Sequence, residues 1–93
     1  MKELTDIRKE LDSVDREIVR LFEQRMNLCR EVAAYKIAHD MQVLDASREE
    51  QVLASRMALA QDESLQQPVR ELFIKLMALS RAEQQKLLEE AKA

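Results

Sequence analysis

Between Leu4 and Ile37 the chain contains neither glycine nor proline, and apolar side chains recur along it at alternating steps of three and four residues. The row reads Leu4, Ile7, Leu11, Val14, Ile18, Leu21, Arg25, Leu28, Val32 and Tyr35. That spacing marks the buried seam of an amphipathic helix, and at 1.5 Å per residue the helix should be roughly 50 Å long. A rod of this length exceeds what the rest of so short a chain can cover. After the polar break "AHDMQVLDA", the "SREE" at residues 47 to 50 has the Ser-x-x-Glu form of a capping box and places the start of a second helix at Ser47. That helix carries Val52, Leu53, Arg56, Met57 and Leu59 to about Ala60. The next break, "QDESLQQP", ends in Pro68, a residue suited to a first helical turn, so a third helix follows. Its inner row is Val69, Phe73, Leu76, Ser80, Gln84, Leu87 and Ala91. No strand-like alternation or internal repeat interrupts this order. The expected fold is all-α, a single domain over residues 1–93 with three helices, one of them very long. A second copy is needed to cover the long helix, most simply as an intertwined two-fold homodimer forming a six-helix bundle.

Arg25 occupies a position in the seam where the pattern asks for an aliphatic side chain. The neighbouring row is Arg8, Asp15, Phe22, Cys29 and Lys36, so two further cations border the same surface. A guanidinium buried without a partner is costly enough that a carboxylate or an anionic ligand must meet it. Asp15 is the only acid on those two rows, whereas Ser80 and Gln84 add a hydroxyl and an amide to the inner face of the third helix. Taken singly, Arg8, Lys36 and Arg48 read as surface cations, Ser80 as a residue bonding its own helix backbone, and Gln84 as the wet edge of a stripe. Together they suit a small polyanion better than an internal ion-pair network. Arg25 and Lys36 lie three turns apart, about 16 Å along the axis, and can converge on one small molecule. Arg8 is about 25 Å from Arg25 on the same rod. It could join the site only from a partner helix crossing antiparallel near Ile18 and Val19.

Composition narrows the remaining classes. Fifteen basic against 18 acidic residues give a net charge of −3, which offers no general case for nucleic acid or an anionic membrane. The absence of glycine argues against phosphate-cradling loops and nucleotide cofactors. The one histidine, His39, falls in a polar stretch and reads as a loop residue, and no metal set or cofactor is expected. The lone Cys29 excludes an internal disulfide and reads as a reduced thiol packed in the core of a cytoplasmic protein. The opening "MKELTDIRKE" lacks the apolar core of a signal peptide, and no apolar run approaches the roughly 18 residues of a membrane span.

From "LTDIRKELDSVDREIVRLFEQR" through "YK", "LDASREEQVL" and "ELFIKLMALSRAEQQ", the chain resembles the all-helical class of chorismate mutases, free-standing or fused to prephenate dehydratase. Carried over position by position, the family's site falls on Arg8, Arg25, Lys36, Asp45, Arg48, Glu49, Ser80 and Gln84. Leu44 departs from the pattern, since some relatives carry a further cation there. The resemblance implies rearrangement of chorismate to prephenate, on the shikimate route to phenylalanine and tyrosine. It implies that Arg25 and a partner's Arg8 hold the two carboxylates, with Arg48 and Ser80 assisting. Lys36 and Gln84 would donate to the ether oxygen, while Glu49 and the backbone near Asp45 would receive the ring hydroxyl. Lys36, Gln84, Arg25 and Glu49 are thus the expected catalytic residues. Two other readings share this pattern: an isochorismate pyruvate lyase of the same fold, and a non-catalytic helical dimerisation or regulatory module.

Overall fold

A computed structural model describes all 93 residues. It is all-helical: α1 spans Leu4–Ala38, α2 Ala46–Leu59 and α3 Gln66–Lys92, with a short 3₁₀ turn at Glu63–Leu65 ahead of α3. No strand is present. The long first helix falls where the periodicity puts it, and α3, which starts at Gln66, holds Pro68 inside its first turn as the sequence suggests.

The start of α2 corrects the sequence reading. Its cap is Asp45, whose Oδ1 accepts the Arg48 amide at 3.0 Å, and Ser47 lies inside the helix. An ionised acceptor binds a backbone N–H more strongly than a hydroxyl does. Glu49 remains in the first turn with the start moved upstream, where a negative charge favours the helix N-terminus.

Helix α1 ends without a glycine. Met41 N donates to Lys36 O at 2.8 Å and Asp40 N to Ile37 O at 3.3 Å, the paired bonds of a Schellman turn. Asp40 sits at φ 53°, in the left-handed region that aspartate tolerates better than most residues but less well than glycine. Asp40→Gly should therefore stabilise the protein by about 0.5–1 kcal/mol, read as a higher urea midpoint at unchanged m-value. His39 is the helix C-cap, its ring stacked on Tyr35 at 4.0 Å and its Nδ1 2.8 Å from the Tyr35 carbonyl oxygen.

Helix α3 lies between the other two, packed against α1 on one flank and α2 on the other. The core is small: Val52 and Leu53 of α2 meet Met77 of α3, with Phe73 against them. On α1 the covered positions are Phe22, Arg25, Met26, Cys29, Ala33, Lys36 and Ile37, a face that includes only part of what the sequence pattern marks as inward. The principal apolar row is bare. Leu11, Val14, Ile18, Leu21 and Leu28 all lie between 52 and 57 % exposed, and every residue from Met1 to Leu21 faces solvent within the single chain.

Dimensions lead to the same point. The chain measures 57 × 26 × 14 Å, and since one helix with its side chains is about 10–12 Å across, it is a single layer. Its radius of gyration is 16.8 Å, where a compact domain of this length has roughly 12 Å. Only six of 93 residues are buried, too few to hold such a layer on their own.

Candidate active site

The layer brings one cluster of polar side chains together. An open cleft of about 180 Å³ lies over α3 between the C-terminal half of α1 and the start of α2. Arg25 and Lys36 reach it from α1, Asp45, Arg48 and Glu49 from the cap and first turn of α2, and Ser80 and Gln84 from α3. These are seven of the eight residues that the sequence singles out. The eighth, Arg8, stands far along the bare half of α1 and does not reach the cleft of its own chain.

Lys36 and Gln84 anchor the centre. The Lys36 ammonium donates to the Val43 carbonyl at 2.6 Å and to Gln84 Oε1 at 3.1 Å. Because an ammonium only donates, it fixes which end of the Gln84 amide is oxygen. Gln84 Nε2 then donates to Ser80 Oγ at 2.9 Å. An ammonium has three hydrogens and an amide nitrogen two, so each group retains one donor not used by the chain. Ser80 and Gln84 are 7 % and 6 % exposed, which sets aside the reading of Gln84 as a wet stripe edge.

Arg25 is half-buried and lies against soft partners. Its guanidinium stands over the Phe73 ring, 5.8 Å from the centroid, and Nη1 is 3.8 Å from Cys29 Sγ. Cys29 is thus half-buried at the cleft wall, where the sequence alone suggests a core thiol. Arg48 Nη1 donates to Gln51 Oε1 at 3.0 Å, a neutral partner on its own helix.

The charge balance is uneven. The chain's ion pairs are Lys2–Glu10, Arg20–Glu17, Arg30–Glu83 and Arg81–Glu49, so none neutralises Arg25, Lys36 or Arg48. A fourth cation, Arg56, also lines the cleft, and its Nη1 donates to the neighbouring Ser55 hydroxyl at 2.8 Å. Of the two acids present, Asp45 is occupied as a helix cap and Glu49 is paired with Arg81. Sequence reading misses Arg81 because it follows Ser80 directly and looks like a surface charge. It misses Arg56 as a cleft residue because a single arginine on a short helix carries no periodic signal.

No group of three or more His, Cys, Asp or Glu side chains is placed to hold a metal ion, and no helix is long and apolar enough to cross a membrane. What the geometry defines is a class: an all-helical chain presenting unneutralised guanidinium, ammonium and amide donors to a small cleft suited to an anion. Within that class the family is clear, since the family model described as chorismate mutase type II matches residues 7–85, and the chain belongs to this family. It is also similar to the T-protein of Haemophilus influenzae, with 38% identity over 56 residues, a stretch covering 60% of this chain. The match spans 15% of the length of that relative. No solved structure matches the chain.

Proposed function

We propose that the chain rearranges chorismate to prephenate in a cleft completed by a second copy of itself. A Claisen rearrangement breaks one C–O bond and forms one C–C bond in a single concerted step, with no proton transfer and no covalent intermediate. What it needs is a dicarboxylate held in a folded conformation and donors facing the ether oxygen as that oxygen gains negative charge. The observation that supports this reading best is the pair of spare donors on Lys36 and Gln84, side by side in a cleft whose cations lack internal counter-ions.

In this reading Arg25 grips one carboxylate and Arg8 of the partner subunit the other, with Arg48 and Ser80 assisting. Planar guanidinium groups fix orientation as well as charge. Lys36 and Gln84 stabilise the ether oxygen, and Glu49 with the backbone beside Asp45 receives the ring hydroxyl. A millionfold acceleration corresponds to about 8 kcal/mol, and one well-placed oxyanion donor supplies about 3–4 kcal/mol. Two donors and an orienting clamp therefore suffice.

The second copy is argued from the bare row of α1. Burying a large aliphatic side chain contributes about 1.5–3 kcal/mol relative to leaving it exposed. Leu4, Ile7, Leu11, Val14, Ile18 and Leu21 are all on this row, all exposed, and all within the half of α1 that the chain leaves uncovered. Two such rods crossing antiparallel would cover each other and carry Arg8 of each into the cleft of the other.

The direct test is loss of chorismate absorbance with purified protein, followed by acid conversion of the product to phenylpyruvate. Release of pyruvate from isochorismate, with chorismate untouched, would instead assign the lyase. Gln84 offers a pH test as well. Its amide donates at any neutral pH, whereas a glutamate in its place donates only when protonated. Gln84→Glu should therefore lose activity at neutral pH and regain part of it as pH falls. A flat profile between pH 4.5 and 8 would remove Gln84 from this role.

A further inference from the structure

We propose that Arg81, which lies outside the cleft, is a positioning residue that fixes Glu49 for the reaction. This inference rests on the reading of Glu49 as the acceptor of the substrate's ring hydroxyl.

Glu49 lines the cleft from the first turn of α2, and Arg81 reaches it from α3, thirty-two residues further along the chain. Arg81 Nη1 bonds Glu49 Oε1, and Glu49 Oε2 has no hydrogen-bond partner in the chain. The carboxylate therefore has one oxygen clamped from behind and one left over. Arg81 does not line the cleft: it lines two grooves beside it, one of them shared with Leu44, Glu49 and Met77. Its guanidinium is thus placed to orient the acid without competing for the anion that Arg25 and Arg48 face.

Geometry makes such a clamp necessary. Glutamate has three side-chain torsions, and without a second anchor its carboxylate could swing toward Arg48 or solvent. Among four cationic side chains, the one cleft carboxylate not engaged as a helix cap is especially prone to collapse onto one of them, which would close the cleft to substrate and neutralise a group meant to bind it. Pairing with Arg81 from the outer side offsets that pull. An ion pair this exposed contributes little to stability: the side chains of Arg81 and Glu49 are 36% and 23% exposed. Its effect should therefore appear in catalysis more than in folding.

Steady-state kinetics on Glu49→Gln, Arg81→Met, Arg81→Lys and the Glu49→Gln/Arg81→Met double variant test this. Arg81→Met should lower kcat/KM by about 10- to 100-fold, the scale of a misplaced reacting group, while Tm moves by no more than about 4 °C. Arg81→Lys, which keeps the charge, should recover to within about fivefold of the parent. The double variant should match Glu49→Gln alone within about twofold, because Arg81 acts only through Glu49. If Glu49→Gln is impaired while Arg81→Met is not, or if the two effects multiply, Arg81 does not position Glu49. If Glu49→Gln is itself fully active, a carboxylate is not needed at this position and the inference fails, while Glu49→Ala tells whether any acceptor is needed there. Should Arg81→Met fold poorly, Arg81→Lys against Arg81→Gln decides: an active lysine variant and an impaired glutamine variant support the clamp, and equal activities overturn it.

Discussion

On the proposed pairing of two copies, Arg8→Ala and Arg25→Ala proteins, each nearly inactive alone, should recover about one quarter of parental activity when mixed in equal amounts and allowed to exchange subunits. Random exchange makes about half of the dimers mixed, and each mixed dimer holds one cleft with both arginines intact and one with neither. The expectation follows from distance. Arg25 lines the cleft, while Arg8 is seventeen residues earlier on the same straight helix, about 25 Å away, on a stretch exposed at every position. No rotation of its side chain can bring it to the cleft of its own chain. Were mixing to restore nothing under proven exchange, Arg8 would have to be removed from the site and the crossing of two rods abandoned.

Lys36→Ala should reduce kcat by about 10²- to 10³-fold, the usual effect of deleting one donor to a developing oxyanion. The structure adds a reason for the size of this effect. Lys36 holds the Val43 carbonyl at 2.6 Å and Gln84 Oε1 at 3.1 Å, so its removal takes away one donor and frees the amide that supplies the other. Lys36→Arg keeps the charge but cannot place a single hydrogen on the same three points, and it should not rescue turnover. A Lys36→Ala enzyme within tenfold of parental kcat would exclude this ammonium from the reacting oxygen.

The long helix was legible because its pattern repeats over ten positions from Leu4 to Tyr35 with no breaker. The polar members of the cleft were legible for a related reason: Arg25, Ser80 and Gln84 violate an apolar stripe, and a violation stands out only where the stripe is long. What periodicity cannot convey is which chain covers which face. Leu11, Val14 and Ile18 read as buried, yet their own chain leaves them exposed, because a seam records that a partner surface is needed and not where it comes from. Caps are equally hard to read. Asp45 and Ser47 are both good acceptors two residues apart, and the choice between them depends on how the preceding turn delivers the backbone. Arg81 illustrates a further limit, since its partner Glu49 is on another helix and no local spacing links the two.

The uncovered half of α1 also has a thermodynamic consequence. If rods complete each other, the melting temperature acquires a dependence on dilution, rising with total protein because association and folding are one equilibrium. Specific activity should then fall at low enzyme concentration even with substrate in excess, and added substrate, bridging the two chains, should slow that decline.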